Sequence, residues 1–347
     1  MLTIAMRKDA SDIHLTVGLP PLYRIRGELV KISDKKLTMK DTMEYSRVIM
    51  PDIMRGILEE KGEADFSYAI PGVARYRVNI YKQRKSYAAA IRVIRPKIPT
   101  LEELGLPDIL KDISLKKSGL FLVTGPTGSG KSTTLAAMMR YINENKNCHM
   151  ITIEDPIEYV HQHGEAMVNQ REVNDDTLSF SNALRAALRE DPDVILVGEM
   201  RDFETISTAI TASETGHFVM STLHTSSAAQ TIDRVIDVFP PHQQQQIRTQ
   251  LASVIEGVLA QRLIRTADGS QRIAAIELMV ANDAIRNIIR EGKTYQINTV
   301  MQTGIKQDMI PMDYYIASLV KRNLLSYRQG MENAFDVEVF KRYMTTN

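Results

Sequence analysis

A single cysteine, Cys148, in 347 residues means that no internal disulfide can form and no four-cysteine zinc site can be built. Charge of one sign is also missing. Lys and Arg number 43 against 42 Asp and Glu, so the formal net charge is +1 and nothing draws the whole chain toward nucleic acid or anionic lipid. No uninterrupted apolar run approaches the ~18 residues of a membrane span. The opening residues lack the basic-then-apolar order of a secretory signal. These absences, with a lone thiol that suits a reducing compartment, lead us to expect a soluble cytoplasmic protein. What remains is ordinary in amount: 44% of residues are hydrophobic and 24% charged, ample for a sizeable core. The length predicts about two domains.

The pattern along the chain changes once. Ile13–Val17 and Leu22–Arg26, separated by Gly18 and Pro20-Pro21, read as a hairpin-like strand pair. Between Thr42 and Glu60, Met43, Val48-Ile49, Ile53 and Ile57-Leu58 recur near helical spacing, with Pro51 breaking the helix in the middle. Asp65–Ile70, Tyr76–Tyr81 and Ala88–Ile94 are three candidate strands of one antiparallel sheet. Pro96, Pro99, Gly105 and Pro107 mark a connector with a short helix inside. From Leu120 onward strands alternate with helices, the signature of a mostly parallel sheet and an α/β class. Its strands fall at 120–124, 149–154, 193–198 and 217–222. Gln243–Arg265 reads as one long amphipathic helix with Ile247, Leu251, Val254-Ile255, Val258-Leu259 and Leu263 on its apolar stripe. Residues 281–347 read as helical throughout, and no internal repeat is present.

The segment GPTGSGKST follows the apolar run Leu120–Val123 and precedes a helix start at Thr134–Met139. It fits G-x-x-x-x-G-K-[ST] with Gly125, Gly130, Lys131 and Ser132 in register. Glycines let the backbone curl so that its N–H groups and the helix N-terminus face phosphate oxygens. Gly125, Pro126, Thr127, Gly128, Ser129, Gly130, Lys131, Ser132 and Thr133 therefore form a candidate nucleotide loop. Lys131 would reach the β- and γ-phosphates and Ser132 would ligate Mg²⁺. A Gly/Ser-rich turn matching by chance has no reason to stand between a strand and a helix.

Three further clusters follow. Asp193–Glu199 is an apolar strand ending in a carboxylate, the form of a Walker B element, and Glu199 could orient water or hold Mg²⁺ through water. A carboxylate at a strand end is common, so its weight comes from following the loop. Ile151–Glu158 sets Glu154, Asp155 and Glu158 after a strand that Pro156 stops. Thr215–Thr225 has His217 and His224 at opposite ends of a strand, His224 on the side where sites form in open α/β sheets. His217 reads as an ordinary strand-edge histidine, and His161 and His163 as a solvated loop rather than metal ligands. Phosphoryl transfer also needs positive charge near the γ-phosphate. Arg75, Arg77, Arg92, Arg95, Arg171, Arg185, Arg189 and Arg201 could supply it, and spacing alone does not choose among them.

With these boxes in order, the chain resembles the type II/type IV secretion ATPase superfamily and, within it, the type IV pilus retraction ATPases of twitching motility. The resemblance covers essentially the whole chain. Ala10–Leu15 is similar to the opening of that family's PAS-like domain, Ile151–His161 to its Asp box and Ile195–Asp202 to its Walker B. Thr215–Thr225 resembles its His box, and Ala284–Lys293 its C-terminal retraction motif, with Ile288 where leucine is usual. On the last motif, Arg286, Arg290 and Glu291 share a helix face that reads equally as a coupling element or as a solvated ion-pair face.

The resemblance implies a PAS-like α+β domain over 1–97, a linker over 98–117, and a RecA-like P-loop ATPase domain with a helical C-terminal extension over 118–347. It implies ATP and Mg²⁺ as cofactors, Glu158 as catalytic base, Glu199 as Walker B glutamate and His224 as the γ-phosphate sensor. Arg75, Arg77 and Arg92 match arginines that reach a neighbouring subunit's nucleotide. It further implies a homohexamer at the cytoplasmic face of the membrane, held there by an inner-membrane platform protein of the type IV pilus, with no nucleic acid partner. Pilus assembly ATPases resemble a different branch, with two CxxC pairs and a longer N-terminal region, which the lone Cys148 does not fit. A nucleic-acid translocase would share the RecA-like core but carry a basic stripe. A non-catalytic regulator would not need Lys131, Glu158, Glu199 and His224 together.

Overall fold

Alternating burial builds the first sheet of this protein, and unbroken burial builds the second. The computed structural model describes residues 1–25, 27–94 and 97–345. They divide into two units, Met1–Ile98 with Pro156–Val160, and Pro99–Asp155 with His161–Asn347. Arg26, Arg95 and Pro96, named above, and residues 346–347 lie outside the described residues.

In the first unit, β1 (Ala10–Leu15), β2 (Leu22–Ile25), β3 (Glu28–Lys31), β4 (Glu63–Ile70), β5 (Ala74–Gln83) and β6 (Ser86–Ile94) form one sheet in the order β3-β2-β1-β6-β5-β4. Every neighbouring pair is antiparallel. Along β5, Tyr76, Val78 and Ile80 are buried while Arg77 and Tyr81 are exposed, the period of two that leaves one sheet face in water. The buried face packs with Ala5, Leu37, Met50 and Leu58. Helices Met39–Ile49 and Asp52–Lys61 flank Pro51, as the sequence predicts, because proline offers no N–H to continue the first. A capping box starts that first helix: Asp41 N donates to Thr38 Oγ1 at 3.2 Å and Thr38 N donates to Asp41 Oδ2 at 2.8 Å.

The second unit is a sheet of β7 (Gly119–Thr124), β8 (His149–Glu154), β9 (Met167–Glu172), β10 (Val194–Val197), β11 (Phe218–Leu223), β12 (Ile255–Arg265) and β13 (Arg272–Val280). Their order is β13-β12-β7-β11-β10-β8-β9, parallel throughout except for the antiparallel β12–β13 hairpin. β7, β10 and β11 are buried along their whole length, as a parallel sheet covered on both faces requires. Leu120, Leu122, Ile151, Ile195 and Val197 face helices Phe180–Ala187, Phe203–Glu214, Ala228–Asp237 and Pro241–Val254. Phe121, Val123, Met150, Val194 and Leu196 point the other way, to helices Ile109–Ser114 and Lys131–Asn145. Leu101, Leu106, Leu110 and Ile113, from the expected linker, are buried in that same cluster.

Three expectations are corrected. Gln243–Arg265 is not one helix: the helix ends at Val254 and β12 begins at Ile255. The apolar run Val258-Leu259-Ala260 suits either period, and pairing with β7 and β13 decides for the strand. Gly257 permits the close approach, since a Cβ there would stand 2.7 Å from Met279 O. Strands β9 and β13 also lack a counterpart in the sequence reading. The described C-terminal residues are mostly helical, not helical throughout, since Ile310 bridges to Leu278 of β13, and Met312, Ile316, Leu319 and Phe340 pack on Ile264 and Ala275 of the hairpin. Cys148 is 7% exposed, and burial pushes its thiol above the ordinary range. Among the described residues no helix is long and apolar enough to cross a membrane.

Candidate functional site

The interior strand β7 has β12 on one side and β11 on the other, and its carboxyl end feeds the glycine loop. Gly125 leaves the strand at φ 143°, and Gly128 and Gly130 follow at 77° and 92°, conformations that L side chains rarely adopt. Gly130 is the N-cap of the helix Lys131–Asn145, so the free N–H groups of its first turn belong to the loop. Lys131 is only 8% exposed, and its Nζ donates to Gly125 O at 2.8 Å and Pro126 O at 3.1 Å. Main-chain N–H groups, an ammonium and the Ser132 hydroxyl make a donor-rich set that fits a phosphate chain with its counter-cation.

The next two strands end beside it. Gly198 N donates to Ile153 O at 2.8 Å, and Glu199 follows directly. Ser221 Oγ donates to Val197 O at 2.7 Å and Thr222 Oγ1 to Gly198 O at 2.6 Å, lacing the ends of β10 and β11 together. This lacing sets Glu199 Oε2 3.7 Å from His224 Nε2 and 2.7 Å from Arg201 Nε. Lys131, Glu199 and His224 thus follow the carboxyl ends of three adjacent parallel strands, the edge where open α/β sheets bind ligands.

Glu158, Arg77 and Arg92 belong to the first unit. Arg77 and Arg92 are direct cross-strand partners on β5 and β6. With Ser11 and Pro156–Tyr159 they line a cavity of about 260 Å³. Like charges placed opposite repel, and two carboxylates offset them: Asp12 Oδ1 lies 3.0 Å from Arg92 Nε, and Asp65 Oδ1 3.8 Å from Arg77 Nε. Arg75 stands two residues before Arg77 on the same strand, opposite Ile94. Of the other arginines, Arg171 pairs with Glu190 at 3.2 Å and Arg185 with Glu204 at 3.4 Å.

His217 Nδ1 lies 2.9 Å from Ala212 O, at the far end of β11 from His224, as its strand-edge reading expects. His161 lies in a loop, as expected, but is half-buried, and burial pushes its imidazole down to about 4. No group of three or more His, Cys, Asp or Glu among the described residues could hold a metal ion. In the retraction-like segment, Arg286 donates to Ala252 O at 2.8 Å and Ser253 O at 2.9 Å, capping the preceding helix, and to Glu256 Oε1 at 3.0 Å. Glu291 pairs with Lys293 at 2.7 Å.

The sequence reading missed two buried polar residues. Gln261 of β12 donates through Nε2 to Ser129 O at 2.7 Å and accepts at Oε1 from Thr134 Oγ1 at 2.9 Å. Glu277 of β13 accepts at Oε1 from Ala228 N at 2.7 Å, the first N–H of the helix that follows His224. Burial pushes the Glu277 carboxyl up to about 7, and the Asp313 charge adds to the rise. Glu277 is a lone polar residue in the apolar run 273–280, an interruption that could have found it, whereas Gln261 is followed by Arg262 and carries no such signal.

A glycine loop on an interior strand, a strand-end glutamate and a neighbouring histidine define a RecA-like P-loop core, accompanied here by a PAS-like α+β unit. The chain belongs to the type II/IV secretion system protein family, whose model matches residues 1–307. It is similar to the type IV pilus retractation ATPase PilT of Pseudomonas aeruginosa, 49% identical over 334 residues covering 96% of this chain and 97% of that protein. A twitching motility protein of Neisseria gonorrhoeae is 48% identical over 318 residues, 92% of this chain and 85% of its own. Among solved structures, the pilus retraction motor PilT with bound ADP superposes with a TM-score of 0.92 at 48% identity, covering 99% of both chains. The Legionella pneumophila ATPase DotB follows at a TM-score of 0.82 and 30% identity, covering 95% of this chain and 93% of its own.

Proposed function

We propose that this protein is an ATP-hydrolysing motor that powers type IV pilus retraction as a ring of six subunits. The observation that carries the reading is the glycine loop after β7, with Lys131 turned into it, in a chain 49% identical to a pilus retractation ATPase over 96% of its length. Lys131 exchanges its two carbonyl acceptors for phosphate oxygens, while the amides of Gly128–Thr133 cradle the rest of the chain. Ser132 would hold Mg²⁺, with Glu199 behind a water, and the cation would neutralise negative charge on the phosphate chain. Glu158 takes the proton of the attacking water, and His224 reads the γ-phosphate beside Glu199. Arg75, Arg77 and Arg92 offer positive charge to a neighbouring subunit's nucleotide.

The domains run over 1–97 and 118–347, and the connecting segment 98–117 packs Leu101, Leu106, Leu110 and Ile113 into the core of the second. The ring works at the cytoplasmic face of the membrane on an inner-membrane platform protein of the pilus. The near-neutral charge, +1, supports a motor without a nucleic acid partner. Lys131→Ala and Glu199→Gln should each lower phosphate release by about a hundredfold or more while the chain still folds. Normal turnover in either variant rejects the site. Cells without the gene should be piliated and unable to retract, whereas bald cells would point to pilus assembly instead.

A further inference from the structure

Gln261 is 3% exposed, directly after Val258, Leu259 and Ala260, which are fully buried. An amide in such a place is retained only where its hydrogen bonds are made. On β12 the parallel ladder with β7 runs to the pair Ala260 and Thr124, so Gln261 stands beside the first residue of the glycine loop. Its two side-chain bonds then reach across that loop. One grips the Ser129 carbonyl at 2.7 Å and the other the Thr134 hydroxyl, in the first turn of the helix, at 2.9 Å. Its backbone shapes the loop as well. A Cβ on Gly125 would lie 2.1 Å from Gln261 O, and a Cβ on Gly130 would lie 3.0 Å from Gln261 Nε2. One residue of β12 therefore meets both glycines of the fingerprint.

We infer that Gln261 is a positioning residue for nucleotide turnover: its amide clamps Ser129 and Thr134 so that the loop holds its phosphate-binding curve before nucleotide arrives. The inference rests on the nucleotide-site reading above. Because the loop's shape comes from β12 as well as from its own glycines, binding does not have to order the loop first, and affinity gains by that preorganisation.

Gln261→Met keeps length and burial but removes both bonds. In the full-length chain without nucleotide, it should speed amide exchange of residues 125–131 relative to the rest of the second unit. It should weaken ATP binding about twenty-five-fold, the worth of two ordinary hydrogen bonds. Thr134→Val removes only the hydroxyl bond and should weaken binding about fivefold. Because both changes act through one clamp, the double variant should lose less than the product of the two. If Gln261→Met does not fold, Thr134→Val alone carries the test. A lowered thermal midpoint with ATP affinity and loop exchange unchanged would make Gln261 a core filler and overturn the inference. A native chain that retains no ATP would sink the ATPase reading, while loop exchange would still judge the clamp.

Discussion

Along β7 all six residues are buried, whereas along β5 buried and exposed residues alternate, and this contrast governs where each unit carries its polar chemistry. The seven-stranded sheet has helices on both faces, so a charge in the middle of a parallel strand would lose its hydration without a partner. In β7, β8, β10 and β11 the mid-strand polar groups are small and bonded, as Ser221 is to Val197 O. Lys131, Glu199 and His224 come after the strands have ended. The six-stranded sheet has an open face, and there Arg77 and Arg92 stand mid-strand with Asp12 and Asp65. A doubly covered sheet confines chemistry to one edge, while a half-covered sheet can spread it over a face.

The strongest test of that difference is Leu122→Ala, which should cost about 2–5 kcal/mol in denaturant unfolding because both faces of the strand are packed. A loss below ~1 kcal/mol would mean that β7 does not anchor the second unit.

Glu277 is the informative exception, a carboxyl 4% exposed inside the covered sheet. Its folded value of about 7 lies above its ordinary 4.5. Between those limits the native state keeps a proton that the unfolded chain has released, so stability falls as pH rises through the window. Asp313, also raised by burial, acts with the same sign. His161 acts oppositely: lowered from 6.5 to about 4, it makes stability fall as pH drops through that range. Glu277→Gln keeps an acceptor for Ala228 N. It should lose most of the downward slope between pH 6.5 and 7 and be more stable than the native chain above pH 7, read as thermal midpoint against pH. An unchanged slope would refute the assignment.

The smallest effect belongs to the open face. Arg77→Ala should change stability by no more than ~0.5 kcal/mol, since its Asp65 pair is solvent-exposed, while slowing phosphate release. A large stability loss would erase the contrast between the sheets.

The same contrast explains what the sequence discloses. Chemistry at a strand end is contiguous in the chain, so the segments around Lys131, Glu199 and His224 were legible as motifs. The Arg77–Arg92 pair is made across a ladder, and only the resemblance chose those residues from among eight candidate arginines. Residues 255–265 were misread because Val258-Leu259-Ala260, buried without interruption, shows no period, so helix and strand look alike there. β9 escaped for the opposite reason, since Met167–Glu172 lies at the sheet edge with few apolar residues. Gln261 is conspicuous only after folding, when a strand 130 positions further on than Lys131 arrives beside the loop.

The shielding of Cys148 has a practical use. A thiol both covered by neighbours and held in its protonated form reacts slowly with maleimides. Ile53 and Tyr295, one in each unit, are 76% and 75% exposed. Fluorophores at Ile53→Cys and Tyr295→Cys would follow the units through a catalytic cycle against an almost silent background, with no need to delete the native sulfur first.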